Sequence, residues 1–147
     1  MSLIFKTDSF EDAKYVRQCV FIDEQGFQVE FEDIDDDEEV GHITAYDNGT
    51  LVGCARVCPS RLQAGFDADP KIWIIGRIAI LPAFRKKGYG SAILAEVERY
   101  LQAQGATSAH LHAQMHAKPF YERAGYSAYG PIELDEHVEH QWMSKTL

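Results

Sequence analysis

The chain has 147 residues, 46% of them apolar and 25% charged, a length that suits one domain with a real core. Fourteen Lys and Arg stand against 23 Asp and Glu, and the net charge of −9 argues against a general affinity for nucleic acid or anionic membrane. No apolar run approaches the roughly 20 residues of a membrane span, and the N-terminus lacks a basic-then-apolar leader pattern. Cys19, Cys54 and Cys58 cannot all pair, so the expectation is a soluble, reduced, cytoplasmic domain spanning residues 1–147.

Residues 3–6 alternate apolar and polar and predict a short first strand. Ser9 then offers an N-cap followed by acids, Ala13, Val16 and Val20 recur at helical spacing, and Gly26 marks a stop. Residues 30–39 hold eight carboxylates and no base, and removing them would leave the chain nearly neutral. Such self-repulsion predicts an exposed, mobile loop. Asp33, Asp35 and Asp37 alternate like the first ligands of a calcium loop, but the sixth position is Glu38 rather than Gly and the twelfth is Thr44 rather than Glu. A fence that draws in a cationic substrate is a further reading.

Residues 42–46 and 51–57 flank Asp47-Asn48-Gly49, a hairpin signal, and residues 59–70 read as a loop. Residues 71–81 are bulky and β-branched, predicting a central strand that Pro82 closes. Residues 90–104 carry an apolar stripe of Ile93, Val97, Tyr100 and Leu101, and Gly105 ends this helix. A strand over 108–113, a short helix over 119–124 ended by Gly125, and two strands within 126–146 complete the order. The fold class is α+β: a mixed, mostly antiparallel central sheet of six to seven strands flanked by about four helices.

Chemistry concentrates where the central strand meets the long helix. Arg85-Lys86-Lys87-Gly88-Tyr89-Gly90 sets three cations before two glycines, whose N–H groups can approach a ligand closely at a helix N-terminus. A diphosphate suits that geometry. The spacing is neither a Walker loop nor a dinucleotide fingerprint.

About thirty residues on, Phe120-Tyr121-Glu122 precede Gly125-Tyr126. Together the two segments resemble the GNAT superfamily of acyl-CoA-dependent N-acyltransferases. Arg85-x-x-Gly88-x-Gly90 matches its pyrophosphate motif, and the element order matches over nearly the whole chain. Within the superfamily the chain is most similar to the ElaA-like branch, through residues 20–25, Gly76-Arg77-Ile78 and His140-x-x-Met143.

The resemblance implies acetyl-CoA as co-substrate, with Ile78, Ala79 and Ile80 offering main-chain groups to the pantetheine arm. Arg85, Lys86, Lys87, Gly88, Tyr89 and Gly90 would hold the pyrophosphate, although Lys86 and Lys87 also read as solvated side chains. Gln114 stands where many members carry Asn, with the same donors and acceptor on a longer stem. Tyr121 would protonate the departing thiolate, since a phenol stays protonated near neutral pH; packing is its plainer role.

For the general base, Glu24 comes first because it ends the first helix where the family's acceptor cleft opens. His112 comes second and relayed water third. His110, His112 and His116 lack a cysteine or carboxylate at metal-ligand spacing, so no metal is expected. Cys54 and Cys58 share a strand face and read as core. The implied activity is acetyl transfer to the primary amine of a small cationic acceptor, with a possible homodimer. A non-catalytic CoA-binding sensor and a transferase of another acyl-CoA are the alternatives.

Overall fold

Alternating side chains lay out a seven-stranded sheet in the computed structural model, which describes residues 2–147. In chain order the elements are β1 (Leu3–Lys6), α1 (Phe10–Arg17), β2 (Gly41–Asp47), β3 (Thr50–Pro59), β4 (Ile72–Ile80), α2 (Tyr89–Ala103), β5 (Ser108–Gln114), α3 (Lys118–Arg123), β6 (Ser127–Asp135) and β7 (Val138–Thr146). The strand order is β1-β2-β3-β4-β5-β7-β6, and β4 with β5 is the parallel pair. The α+β expectation holds, with three α-helices. After α1 the chain continues without a break as a π-helix, Gln18–Glu24, a wider winding often found beside functional sites. Ser9 sits at the N-cap of α1, yet its hydroxyl makes no capping bond.

Helices cover both faces of the sheet. On one, Ile93, Leu94, Val97 and Leu101 of α2 pack on Ile43, Val57, Ile75, Leu111 and Met143. Full burial of such side chains stabilises by about 1.5–3 kcal/mol each. On the other, Ala13 and Val16 of α1 join Val20, Phe21 and Phe27 over Cys54 and Ala79. Gly53 is dictated by crowding, because a Cβ there would lie 2.6 Å from the Ala79 carbonyl oxygen.

Two irregularities in β4 open the sheet. Its pairing with β3 slips between Cys54 and Arg56, opposite Arg77, whose φ of 53° belongs to the left-handed region. Its parallel pairing with β5 ends at Ile75 and Leu111. Beyond that point the C-terminal half of β4 and the end of β5 part company.

The acidic run is only in part the solvated loop that its charge density predicts: Glu32, Asp33, Asp36, Glu38 and Glu39 are exposed, but two carboxylates are buried. Glu30 and Asp35 are only 4% and 6% exposed. Arg17, itself buried, bonds Glu30 at 2.9 Å and both oxygens of Asp35 at 3.0 Å. Arg56 reaches Glu32 and Asp35 at 3.0 Å, and Arg77 reaches Glu32 at 2.9 Å. Counting charges along the chain misses these distant partners. Burial alone would raise the Asp35 pKa, but hydrogen bonds from Arg17, the Glu32 main chain and Arg56 outweigh it and hold the carboxyl below its usual range. Glu30 goes the other way, since burial outweighs its arginines.

Asp35 is depressed in the folded state, so its stabilisation is complete above about pH 4 and is lost as the pH falls further. Asp35→Asn should cost about 3–5 kcal/mol at pH 7 by leaving buried guanidinium groups unmatched. In urea unfolding, the gap from wild type should be widest at pH 7 and narrower at pH 3.

Candidate active site

The gap between β4 and β5 is the floor of a cleft of about 830 Å³, the size of a small-molecule site. The π-helix and the following loop wall it through Phe21, Glu24 and Phe27, and β7 walls the other side through His140 and Trp142. Leu81 N–H donates to the Val52 carbonyl at 2.9 Å, so strand alternation turns the main-chain groups of Ile78 and Ile80 away from β3 and toward the gap. Those groups form an edge with no strand beside it, although the Ile80 carbonyl accepts from Arg85.

At the mouth, residues 85–90 turn from β4 into α2. Lys86 and Gly88 both have positive φ, 64° and 85°, and Gly88 caps the helix. Alternating backbone of this kind gathers N–H groups into a concavity that favours anions, reinforced by the N-terminus of a 15-residue helix. Lys86 and Lys87 are exposed. Tyr89 turns its side chain into the core and bonds Asp47, which leaves only its main chain for a ligand. Gly90 has no need to be glycine on the protein's own account. Its φ is not positive, and a Cβ would meet Phe120 at an ordinary 3.5 Å.

Arg85 ties the mouth together. Its Nε donates to the Ile80 carbonyl at 3.1 Å, and its two terminal nitrogens grip both oxygens of Glu24 at 2.5 and 2.6 Å. The hydrogen bond from Arg85 holds Glu24 below the usual carboxylate range, the wrong direction for a base. Gln114, at the end of β5, donates to the Gln25 side chain at 2.8 Å. Tyr121 lines the cleft from α3, and burial pushes its hydroxyl up to about 12.

His112 lies between His140 and Trp142, ring centroids 4.8 and 4.7 Å away. Its Nε2 is 3.4 Å from a Glu133 carboxylate oxygen, near enough to feel the charge but not aligned to share a proton. Burial, and then the His140 ring beside it, lowers its pKa. His110 and His116 do not join it, and among the described residues no three His, Cys, Asp or Glu side chains gather into a metal-binding group. The structure thus brings together Glu24, Ile78–Ile80, Arg85, His112, Gln114 and Tyr121 around one cleft. It adds Arg77, Asp135, His140 and Trp142, which sequence reasoning gave no role at the site. The β5–β7 register faces His112 to Trp142 and Gln114 to His140, and no local pattern encodes that pairing.

Residues 8–126 match the family described as Acetyltransferase (GNAT) family. The chain belongs to that family. An uncharacterized N-acetyltransferase of Bacillus subtilis (strain 168), YjcF, is 34% identical over 140 residues, covering 94% of this chain and 93% of the relative. Among solved structures, Escherichia coli ElaA superposes with a TM-score of 0.79 at 23% identity, covering 98% of each chain. An aminoglycoside 6'-N-acetyltransferase complexed with coenzyme A does so with a TM-score of 0.74 at 18% identity, covering 97% of this chain and 96% of that one. Like other GNAT proteins, this chain is an acyl-CoA-dependent N-acyltransferase, and among the described residues no helix is long and apolar enough to cross a membrane.

Cysteine takes no part in such a cleft. Burial pushes the Cys54 and Cys58 thiols up to about 12 and about 11, so neither forms a thiolate at neutral pH, although Cys58 borders the cleft. Iodoacetamide at pH 8 should therefore alkylate the partly exposed Cys19 first, read as a single adduct in intact-mass spectra. Comparable labelling of Cys58 would mean that the cleft wall opens.

Proposed function

We propose that residues 1–147 act as one domain that moves the acetyl group of acetyl-CoA to the primary amine of a small cationic acceptor, by direct attack in a ternary complex. The observation that carries this reading is the parting of β4 from β5 beside the glycine-bearing start of α2. An extended pantetheine arm can pair with the Ile78–Ile80 edge while a diphosphate rests on the N–H groups of residues 85–90. The coenzyme A held by the aminoglycoside acetyltransferase, a protein of like fold, supports the same choice.

In this reading Arg85 exchanges Glu24 and the Ile80 carbonyl for phosphate oxygens, with Lys86 and Lys87 adding charge. Gln114 steadies the pantetheine amide. Placing the amine against the thioester makes the attack effectively unimolecular. The Ile80 N–H stabilises the tetrahedral oxyanion. Tyr121 gives its proton to the sulfur: a phenol kept neutral by burial loses nothing to ionisation beforehand. Glu24, His112 or a relayed water takes the amine's proton. Of the two side chains His112 has the better environment, because Glu24 is held charged by Arg85.

The acidic run argues less for a cationic acceptor than its charge suggests, since Glu30, Glu32 and Asp35 are matched by arginines. Support comes instead from Asp135 and the Trp142 ring at the cleft, which suit an ammonium ion. The setting is cytoplasmic, in keeping with three free cysteines. At the sheet edge Ile132 and Leu134 of β6 are 51% and 70% exposed, which favours pairing with a second copy.

Cell extracts incubated with isotopically labelled acetyl-CoA should yield one labelled amide by mass spectrometry, and Tyr121→Phe should lower its formation about 10²-fold with coenzyme A affinity intact. Binding without any labelled product, in wild type and variant alike, would instead favour a sensor or another acyl group. Gly90→Ala separates the ligand from the scaffold. It should raise stability by roughly 0.5–1 kcal/mol in thermal unfolding yet weaken coenzyme A about tenfold in calorimetry, and unchanged affinity would sink the placement of the diphosphate.

A further inference from the structure

Resting on the transfer reading, we propose that His140 is the catalytic base: its Nε2 takes the proton of the attacking amine, and His112 positions its ring. His140 is 6% exposed and lies on the cleft wall. Its Nδ1 is 2.9 Å from the Val138 carbonyl oxygen. A carbonyl only accepts, so Nδ1 carries the hydrogen, and in the neutral ring Nε2 is left with its lone pair. That Nε2 has no hydrogen-bond partner in the protein, and it is not among the buried polar atoms sealed from solvent. A bare, fixed imidazole nitrogen at the edge of a cleft is the form a base requires.

The two earlier candidates are worse placed. Both oxygens of Glu24 are occupied by Arg85. The Nε2 of His112 is buried without a hydrogen-bond partner, and its ring is stacked between His140 and Trp142. Its place in the stack fixes the tilt of the His140 ring instead.

The surroundings suit an imidazolium formed in passing. From β5, His112 and the neutral Gln114 face His140, and β6 supplies Glu133, its register partner, and Asp135. The β6–β7 turn contributes Glu136 and His137, whose Nε2 is held by the Gln25 carbonyl. Phe27 meets the ring edge-on at 6.4 Å, and across the cleft Glu24 is neutralised by Arg85. Two imidazoles 4.8 Å apart resist double protonation. Burial and the neighbouring His140 ring lower the His112 pKa against the opposing pull of Glu133 and Asp135, so His112 stays neutral beside His140.

The step balances. The amine nitrogen bonds to the thioester carbon, the carbon–sulfur bond breaks, the amine's proton passes to His140 Nε2, and the thiolate takes the Tyr121 proton. His140 then returns a proton to water and Tyr121 regains one, leaving an amide and a free thiol. An acceptor that enters as ammonium first sheds its extra proton to solvent through the same nitrogen.

Two measurements decide the assignment. Long-range 1H–15N spectra of the labelled wild-type protein at pH 7.5, with the His140 ring signals assigned by through-bond connectivity to its backbone, should show a protonated Nδ1 and a bare Nε2. A protonated Nε2 overturns the proposal, and this readout on wild-type protein stands even where the variant fails to fold.

With the amine found by isotope transfer, His140→Asn keeps an N–H donor near Val138 and lacks Nε2. Its kcat/KM at pH 7 should fall about 10²–10³-fold, with acetyl-CoA affinity unchanged, and should converge on wild type as the pH passes the amine's own pKa. Free imidazole should restore part of the rate to His140→Ala. Undiminished activity at pH 7, or a loss that persists at high pH, overturns the role. Wild-type protein that binds acetyl-CoA and acetylates no amine refutes the transfer reading itself, and this one with it.

Discussion

Three guanidinium groups from α1, β3 and β4 converge on one acidic segment, and the cleft depends on that convergence. Arg17, Arg56 and Arg77 pull Glu30, Glu32 and Asp35 against the sheet, so residues that would repel one another in water become a wall. The wall stands where Arg77 kinks β4 and where β4 leaves β5. A buried ion network of this kind adds little net stability over an apolar core, because desolvation offsets its attraction. What it secures is position: it holds the loop after the π-helix beside the edge of β4 that opens where β4 leaves β5.

The same economy of charge governs the mouth. Arg85 is the one cation of the glycine turn that is already partnered, by Glu24 and by the Ile80 carbonyl. For Arg85 to hold a phosphate as proposed, the phosphate would have to be a better partner than a bidentate carboxylate, and the exchange would free both a carboxylate and a main-chain acceptor inside the cleft. On the proposed reading, cofactor binding and the electrostatics of the cleft would be linked through this one side chain, because Glu24 is uncovered only if Arg85 moves, whereas the His140 tautomer is set by Val138 and not by Arg85.

Legibility in the sequence followed distance along the chain. Strands, hairpin and the long helix were readable because their signals are local: alternation in residues 3–6, Asp47-Asn48-Gly49, and the stripe from Ile93 to Leu101. The glycine turn into the long helix was readable for the same reason, being six consecutive residues. The acidic run was misread in part because Arg17, Arg56 and Arg77 lie 13 or more positions away from the carboxylates they meet. His140 carried no signal beyond a motif, since its meaning arises from the β5–β7 register and from a hydrogen bond to Val138 two residues back. Pairings formed by folding cannot be counted in a window.

Acceptor choice follows from what remains once the arginines are accounted for. The chain's net charge of −9 suggests a strong pull on cations, but Glu30, Glu32 and Asp35 meet Arg17, Arg56 and Arg77, and Glu24 meets Arg85. The surface field is therefore strong while the cleft itself is nearly balanced. Long-range attraction of a cationic amine is a matter of encounter rate and weakens with salt. Inside the cleft the short-range features are two stacked imidazoles, the Trp142 face and the Asp135 carboxylate. If the proposed transfer holds, such a wall would read the shape and flatness of the group that carries the amine as well as its charge.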